Sequence, residues 1–306
     1  VIRPGRLKAG DRIALVAPAS AFDPQMLDAG VAEVRRLGFE PVYDEAILAR
    51  GRFEAGPADL RARLLHNAWR DPSISGLLAV RGGYGSQQLL PLLDPVVMRE
   101  AAKPLVGYSD ITALLSWSWA NGVIAFHGPM IEGRLASGTT AYDPTTFVGA
   151  LTRVAPLGPL RPPGLEVFVP GDAWGLLVGG TLTQLVSMLG TPWAARVPHG
   201  GILFLEDVAE RPYRVHRMLT QLAQAGVLAL AGALVFGEFP GCDEPGGTPA
   251  IRDVLREFVQ GFPGPVLFGF PSGHTVGQSW TLPFGVRARV AGGTDPALVI
   301  EEAAVK

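Results

Sequence analysis

Short apolar runs alternate with amphipathic stripes through the first half of the chain, and the alternation predicts strands and helices in turn. Arg12 to Ala17 reads as a strand, after which Leu27, Val31, Val34 and Leu37 fall on one helix face. Pro41 to Tyr43 is extended, and Leu60, Leu64, Leu65 and Trp69 form a second helical stripe. Gly76 to Val80 reads as a buried strand and Gln87 to Leu93 as a short helix. The strand at Leu105 then leads directly into a helix-like segment, Ile111 to Ala120. Strands alternating with helices predict parallel βαβ units, in which chemistry gathers at the carboxyl ends of the strands.

The pattern breaks between Thr152 and Gly164, where four prolines interrupt any period. This reads as a linker and places a boundary near residue 155, giving regions 1–155 and 156–306. Beyond it, Gly179-Gly180 opens a helix bearing Leu182, Leu185, Val186 and Leu189. A strand from Gly201 to Leu205 ends at Glu206, and Val215, Met218, Leu219 and Leu222 mark an amphipathic helix. Leu228 to Phe236 and Pro265 to Phe268 read as buried strands, and the tail from Trp280 as strand-like.

Composition narrows the function classes. The 306 residues carry a net charge of −2, which gives no electrostatic footprint for nucleic acid or an anionic membrane. No apolar run reaches the ~18 residues of a membrane span, and the first residues lack the pattern of a signal peptide. The lone Cys242 excludes an internal disulfide and fits a reducing, cytoplasmic setting. Its loop context suggests an inert thiol.

Two strand ends hold the candidate chemistry. At Gly107-Tyr108-Ser109-Asp110 a strand–turn–helix junction can lift the Ser109 hydroxyl out of the backbone and aim the Asp110 amide at the same spot. Ile111 stands where a Gly-x-Ser-x-Gly elbow has its second glycine, so Ser109 is either a nucleophile or a helix N-cap. Arg81-Gly82-Gly83-Tyr84-Gly85 lets the backbone pass close to a ligand; it lacks both the phosphate-loop and the dinucleotide spacing. It either supplies oxyanion-hole amides, with Arg81 taking a carboxylate, or is simply a tight turn. His127 and His274 are the histidines best placed to act, and spacing alone does not rank them. Glu206 either orients a histidine or is a solvated strand end.

Taken in order along nearly the whole chain, these segments resemble the LD-carboxypeptidases, the muramoyltetrapeptide carboxypeptidase family of serine peptidases. The resemblance rests on Leu7 to Ile13 with Pro18-Ala19-Ser20, on Arg81 to Gly85, and on Gly107 to Asp110. It continues through His127-Gly128-Pro129, Gly179-Gly180, Leu203 to Asp207, Tyr213 to Leu222 and Gly273-His274. It implies an α/β fold: an N-terminal parallel-sheet domain similar to class I glutamine amidotransferases, and a smaller β-rich C-terminal domain. It also implies a Ser109–Glu206–His274 triad. The mechanism that follows from such a triad puts oxyanion donors at Asp110 and Gly83 and substrate contacts at Arg81 and Tyr84. No metal or cofactor is called for. The implied substrate is a small murein tetrapeptide cut before its terminal D-alanine, by a cytoplasmic homodimer that binds neither nucleic acid nor membrane. A similar branch, the microcin C self-immunity peptidases, implies an aminoacyl or peptidyl nucleotide instead, and a non-catalytic murein-peptide binder is a third reading. Thr181 departs from the asparagine that often follows Gly-Gly in the family.

Overall fold

The computed structural model describes residues 1–306. In the first half, strands β1 (Arg12–Val16), β2 (Glu40–Val42), β3 (Ile74–Ala79), β4 (Leu105–Gly107) and β5 (Ala125–His127) are joined through helices. The helices are α1 (Pro24–Arg36), α2 (Ala58–Arg70), α3 (Pro95–Ala101) and α4 (Thr112–Ala120), with α5 (Pro144–Thr152) following β5. Every pairing among β1 to β5 is parallel, as the alternating pattern predicts. Asp23, Asp94 and Asp143 each accept a backbone N–H at the start of α1, α3 and α5, with proline as the first helical residue in all three.

The second half contributes β6 (Gly158–Leu160), β7 (Glu166–Val169), β8 (Gly171–Thr181), α6 (Leu182–Ser187), β9 (Gly201–Glu206) and α7 (Pro212–Gln224). It continues with α8 (Val227–Leu230), β10 (Ala231–Phe236), α9 (Ile251–Phe258) and β11 (Val266–Phe268). The chain ends with β12 (Leu282–Phe284), β13 (Arg287–Gly292) and β14 (Ala297–Ile300). Its eight-stranded sheet has the order β6-β14-β13-β8-β9-β10-β11-β7, with β8 to β11 parallel and the outer pairs antiparallel. The first sheet has the order β12-β5-β4-β3-β1-β2, so β12 crosses back to close its edge, antiparallel to β5.

Several elements differ from the sequence pattern for local reasons. The proline-rich stretch after Thr152 is not wholly irregular: β6 pairs with β14 as an edge strand, where a missing proline N–H costs nothing. Leu228 to Leu230 form a helical turn, and the strand starts only at Ala231. A continuous apolar run does not distinguish the two.

One apolar core runs through both sheets, and their carboxyl ends meet. In the register, Gly107 lies beside His127 at the end of the first sheet, and Thr181 beside Glu206 at the end of the second. Gly180 makes this approach possible, and Gly179 lets β8 lie close to β9 beside it. A side chain at Gly179 would come within 1.9 Å of the Phe204 carbonyl, and one at Gly180 within 2.5 Å of Thr112 on α4. The Thr181 N–H bonds the Thr112 hydroxyl at 3.1 Å, tying the two halves together. No helix is long and apolar enough to cross a membrane.

Gly179 also has a φ of +143°, so Gly179→Ala combines strain with a backbone clash and should cost at least about 2 kcal/mol in urea unfolding. Gly190→Ala, at a φ of +79° with open space around it, should cost about 1 kcal/mol. Equal losses would show that the close approach carries no weight.

Candidate active site

Ser109 stands in the turn between β4 and α4 with a φ of +62°, a left-handed conformation that a non-glycine residue adopts only at a cost. It is not a helix cap: α4 begins at Thr112, with Ile111 in the cap position and no side-chain capping bond. The strain instead presents a half-buried hydroxyl. Gly82 lies directly against it, since a side chain there would meet the Ser109 Cβ at 2.8 Å and its Oγ at 3.1 Å. The Gly82 carbonyl accepts the Ser20 N–H at 3.1 Å. In a trans peptide the Gly83 N–H then points the opposite way, and it makes no hydrogen bond within the protein.

Two buried charges fix the glycine loop against the Ser109 turn. Asp110 accepts the Ser86 N–H at 2.7 Å. Burial raises its carboxyl pKa, with the bonds from Ser86 and Gly85 pulling the other way. Arg61, 2% exposed, donates to the carbonyls of Pro18, Gly56 and Gly85 at 2.6, 3.0 and 2.9 Å. It therefore ties the loops after β1 and β3 to α2, a role that nothing in its sequence context signals.

Glu206 ends β9 fully buried. Its Oε2 accepts both the Nδ1 of His274, at 2.8 Å, and the His274 backbone N–H, at 2.9 Å. Its Oε1 accepts the Thr181 hydroxyl. The residue that departs from the family pattern thus supports this carboxylate. His127, also fully buried, faces the same oxygen with its Nε2 at 3.8 Å. Its Nδ1 lies 2.9 Å from the Ser272 hydroxyl, for which it is the only side-chain partner. If that hydroxyl donates, Nε2 carries the proton and points it at Glu206. Burial disfavours ionisation of Glu206, but the two imidazoles outweigh it and hold the carboxyl well below the usual range.

The structure therefore separates the two histidines: His274 takes the short bond to Glu206, and His127 backs the carboxylate from the other side. The His274 side chain is 19% exposed, and its ring packs edge-on against Tyr108, centroids 5.0 Å apart. Tyr108 directly precedes Ser109, so the imidazole packs against the turn that carries Ser109. The bond from Ser109 Oγ to His274 Nε2 is not formed in this arrangement, and Nε2 has no protein partner. Arg81 is half exposed, 3.3 Å from Glu132 and bonded to the Ala21 carbonyl at 2.9 Å. Tyr84 is exposed on the same rim, edge-on to Phe53.

The remaining candidates lie outside this cluster. His66 accepts the Asp94 N–H that starts α3, and His216 packs on Phe258. Burial pushes the Cys242 thiol up to about 12, so it stays protonated and unreactive.

Two family models match the chain: the LD-carboxypeptidase N-terminal domain over residues 13–128 and the LD-carboxypeptidase C-terminal domain over residues 174–290. The murein tetrapeptide carboxypeptidase of Pseudomonas aeruginosa is 34% identical, covering 92% of this chain and 93% of its own length. The crystal structure of muramoyltetrapeptide carboxypeptidase from Oxalobacter formigenes superposes with a TM-score of 0.83 at 31% identity, over 95% of this chain and 99% of that one. The microcin C7 self-immunity protein MccF, in complex with aspartyl sulfamoyl adenosine, gives a TM-score of 0.93 at 26% identity over 100% of both chains.

Next to Glu206, burial first, and then the Glu206 charge, push Asp207 up to about 6 against the opposing bonds from Thr183 and Val208. A carboxyl raised from 3.8 favours folding most below pH ~4, and this contribution is lost as the pH rises through about 6. The stability gap between Asp207→Asn and the parent should thus move in the variant's favour by about 2 kcal/mol from pH 4 to 8. A gap that stays constant in denaturant titrations would contradict this.

Proposed function

The chain belongs to the LD-carboxypeptidase family, and on that premise we propose that it hydrolyses the L,D-peptide bond before the terminal D-alanine of murein tetrapeptides, with Ser109 as nucleophile. The observation that carries the reading is the bond from His274 Nδ1 to a buried, ionised Glu206. It leaves Nε2 free of any protein partner, in a ring packed on Tyr108, the residue before the strained Ser109.

In the substrate complex the Ser109–His274 hydrogen bond forms. His274 Nε2 takes the Ser109 proton as Oγ attacks the terminal peptide carbonyl, and Glu206 stabilises the imidazolium. The oxyanion is met by the N–H groups of Asp110 and Gly83, each such donor contributing about 3 kcal/mol in the transition state. His274 then protonates the departing amine of D-alanine, leaving an ester on Ser109. Water, deprotonated by the same imidazole, attacks that ester and restores the hydroxyl. Arg81 receives the terminal carboxylate through the guanidinium nitrogens not engaged by Glu132 and Ala21, and Tyr84 lines the rim.

The same reading sets the protein in cytoplasmic cell-wall recycling as a homodimer, with regions 1–155 and 156–306 as its domains and β12 returned to the first. The similarity to MccF keeps an aminoacyl nucleotide as the competing substrate.

The test is incubation with a defined murein tetrapeptide. The parent should release free D-alanine, and Ser109→Ala should lower kcat by at least about a thousandfold while leaving thermal unfolding nearly unchanged. Hydrolysis of an aminoacyl-sulfamoyl adenosine alone would replace the substrate, and binding of the tetrapeptide without turnover would favour a binding protein.

A further inference from the structure

The loop that carries His274 is held from two sides by opposite kinds of partner. Its N–H groups are bound by side chains of the second half of the chain. The His274 N–H goes to Glu206, the Val276 N–H to Glu238 at 2.8 Å, and the Gly273 N–H to the Ser279 hydroxyl at 3.1 Å. Its carbonyls turn the other way and converge on one guanidinium from the first half, Arg134. Nη2 donates to Gly273 O at 3.0 Å and to Thr275 O at 2.9 Å, the two carbonyls flanking His274. Nη1 donates to Gly277 O at 3.1 Å and to Ala141 O at 3.2 Å.

Arg134 is itself anchored to the first sheet. The segment after β5 bonds back to the end of β3, with Ile131 N–H to Ala79 O and Glu132 N–H to Val80 O at 3.3 and 2.8 Å. The guanidinium also lies 6.0 Å from the ring centre of Tyr108, the residue before Ser109, and that ring packs on His274. One side chain thus touches the loop of the proposed base and the turn of the proposed nucleophile, which belong to different sheets. A planar fork of donors can hold two carbonyls at a fixed spacing; a single ammonium cannot.

We infer that Arg134 is a positioning residue that sets the approach of His274 to Ser109 by clamping the carbonyls of residues 273, 275 and 277. The inference rests on the triad reading above. Loosening the clamp should let the imidazole drift from the hydroxyl without touching the substrate.

Arg134→Ala should therefore lose kcat by about a hundredfold with KM within about twofold. Guanidinium ion at tens of millimolar should restore part of the rate, and tetramethylammonium at equal ionic strength should not. Arg134→Lys keeps the charge but not the fork, and should fall between the parent and Arg134→Ala. It also serves as the readable variant if the alanine form fails to fold. A second readout, independent of the substrate, is the rate at which a fluorophosphonate modifies Ser109, which should fall in parallel. Labelling or turnover of Arg134→Ala at the parent rate, or a loss that guanidinium does not relieve, would overturn the inference. A parent that is labelled at Ser109 but releases no D-alanine would instead overturn the substrate reading. A parent that does neither would remove the triad, and the clamp's purpose with it.

Discussion

The structure turns on a carboxylate kept ionised where no water reaches it. An unpaired charge at the buried Glu206 position would cost several kcal/mol, so donors must surround it. Three groups donate to it, the His274 ring, the His274 backbone N–H and the Thr181 hydroxyl, and the His127 imidazole faces it at 3.8 Å. His127 ends a strand of the first sheet, and the donors belong to segments around the second. The carboxyl ends of both sheets thus meet at this one charge.

That meeting explains several features that are otherwise unrelated. Glycine at 180 is required because the two halves approach closer there than a side chain permits, and glycine at 179 because β8 lies equally close to Phe204 of β9. The buried Arg61 and Asp110 hold the glycine loop at the Ser109 turn, so the backbone around Ser109 is fixed on that side. His274 is held less by packing than by directional bonds on both faces of its loop. A site spread over two sheets needs such bonds, because apolar contact alone does not fix an imidazole to within a few tenths of an ångström.

Much of this was legible in the chain, for identifiable reasons. The parallel units of the first half follow from clean alternation of apolar runs and helical stripes, and Ser109, Glu206 and His274 each sit just beyond an apolar run. Their roles came from the resemblance, since spacing left His127 and His274 unranked. The pattern gives no signal for β7 and β8, because Gly171 and Gly175 interrupt the alternation that marks a strand and Glu166 of β7 is turned aside to Arg252 and Arg256. The helices α3, α5 and α9 are too short for their stripes to stand out. Arg61 and Arg134 carry no signal in the sequence: apart from Gln88 beside Arg61, their partners are backbone carbonyls, which every residue carries, and only the fold decides which ones converge.

The most direct measurement is a double-mutant cycle on kcat with Ser109→Ala, His274→Ala and the combined variant. If the imidazole acts only by moving the serine proton, the double variant should be no slower than the worse single one. Losses that multiply would mean that the two side chains act independently, and the account of a shared proton transfer would fall.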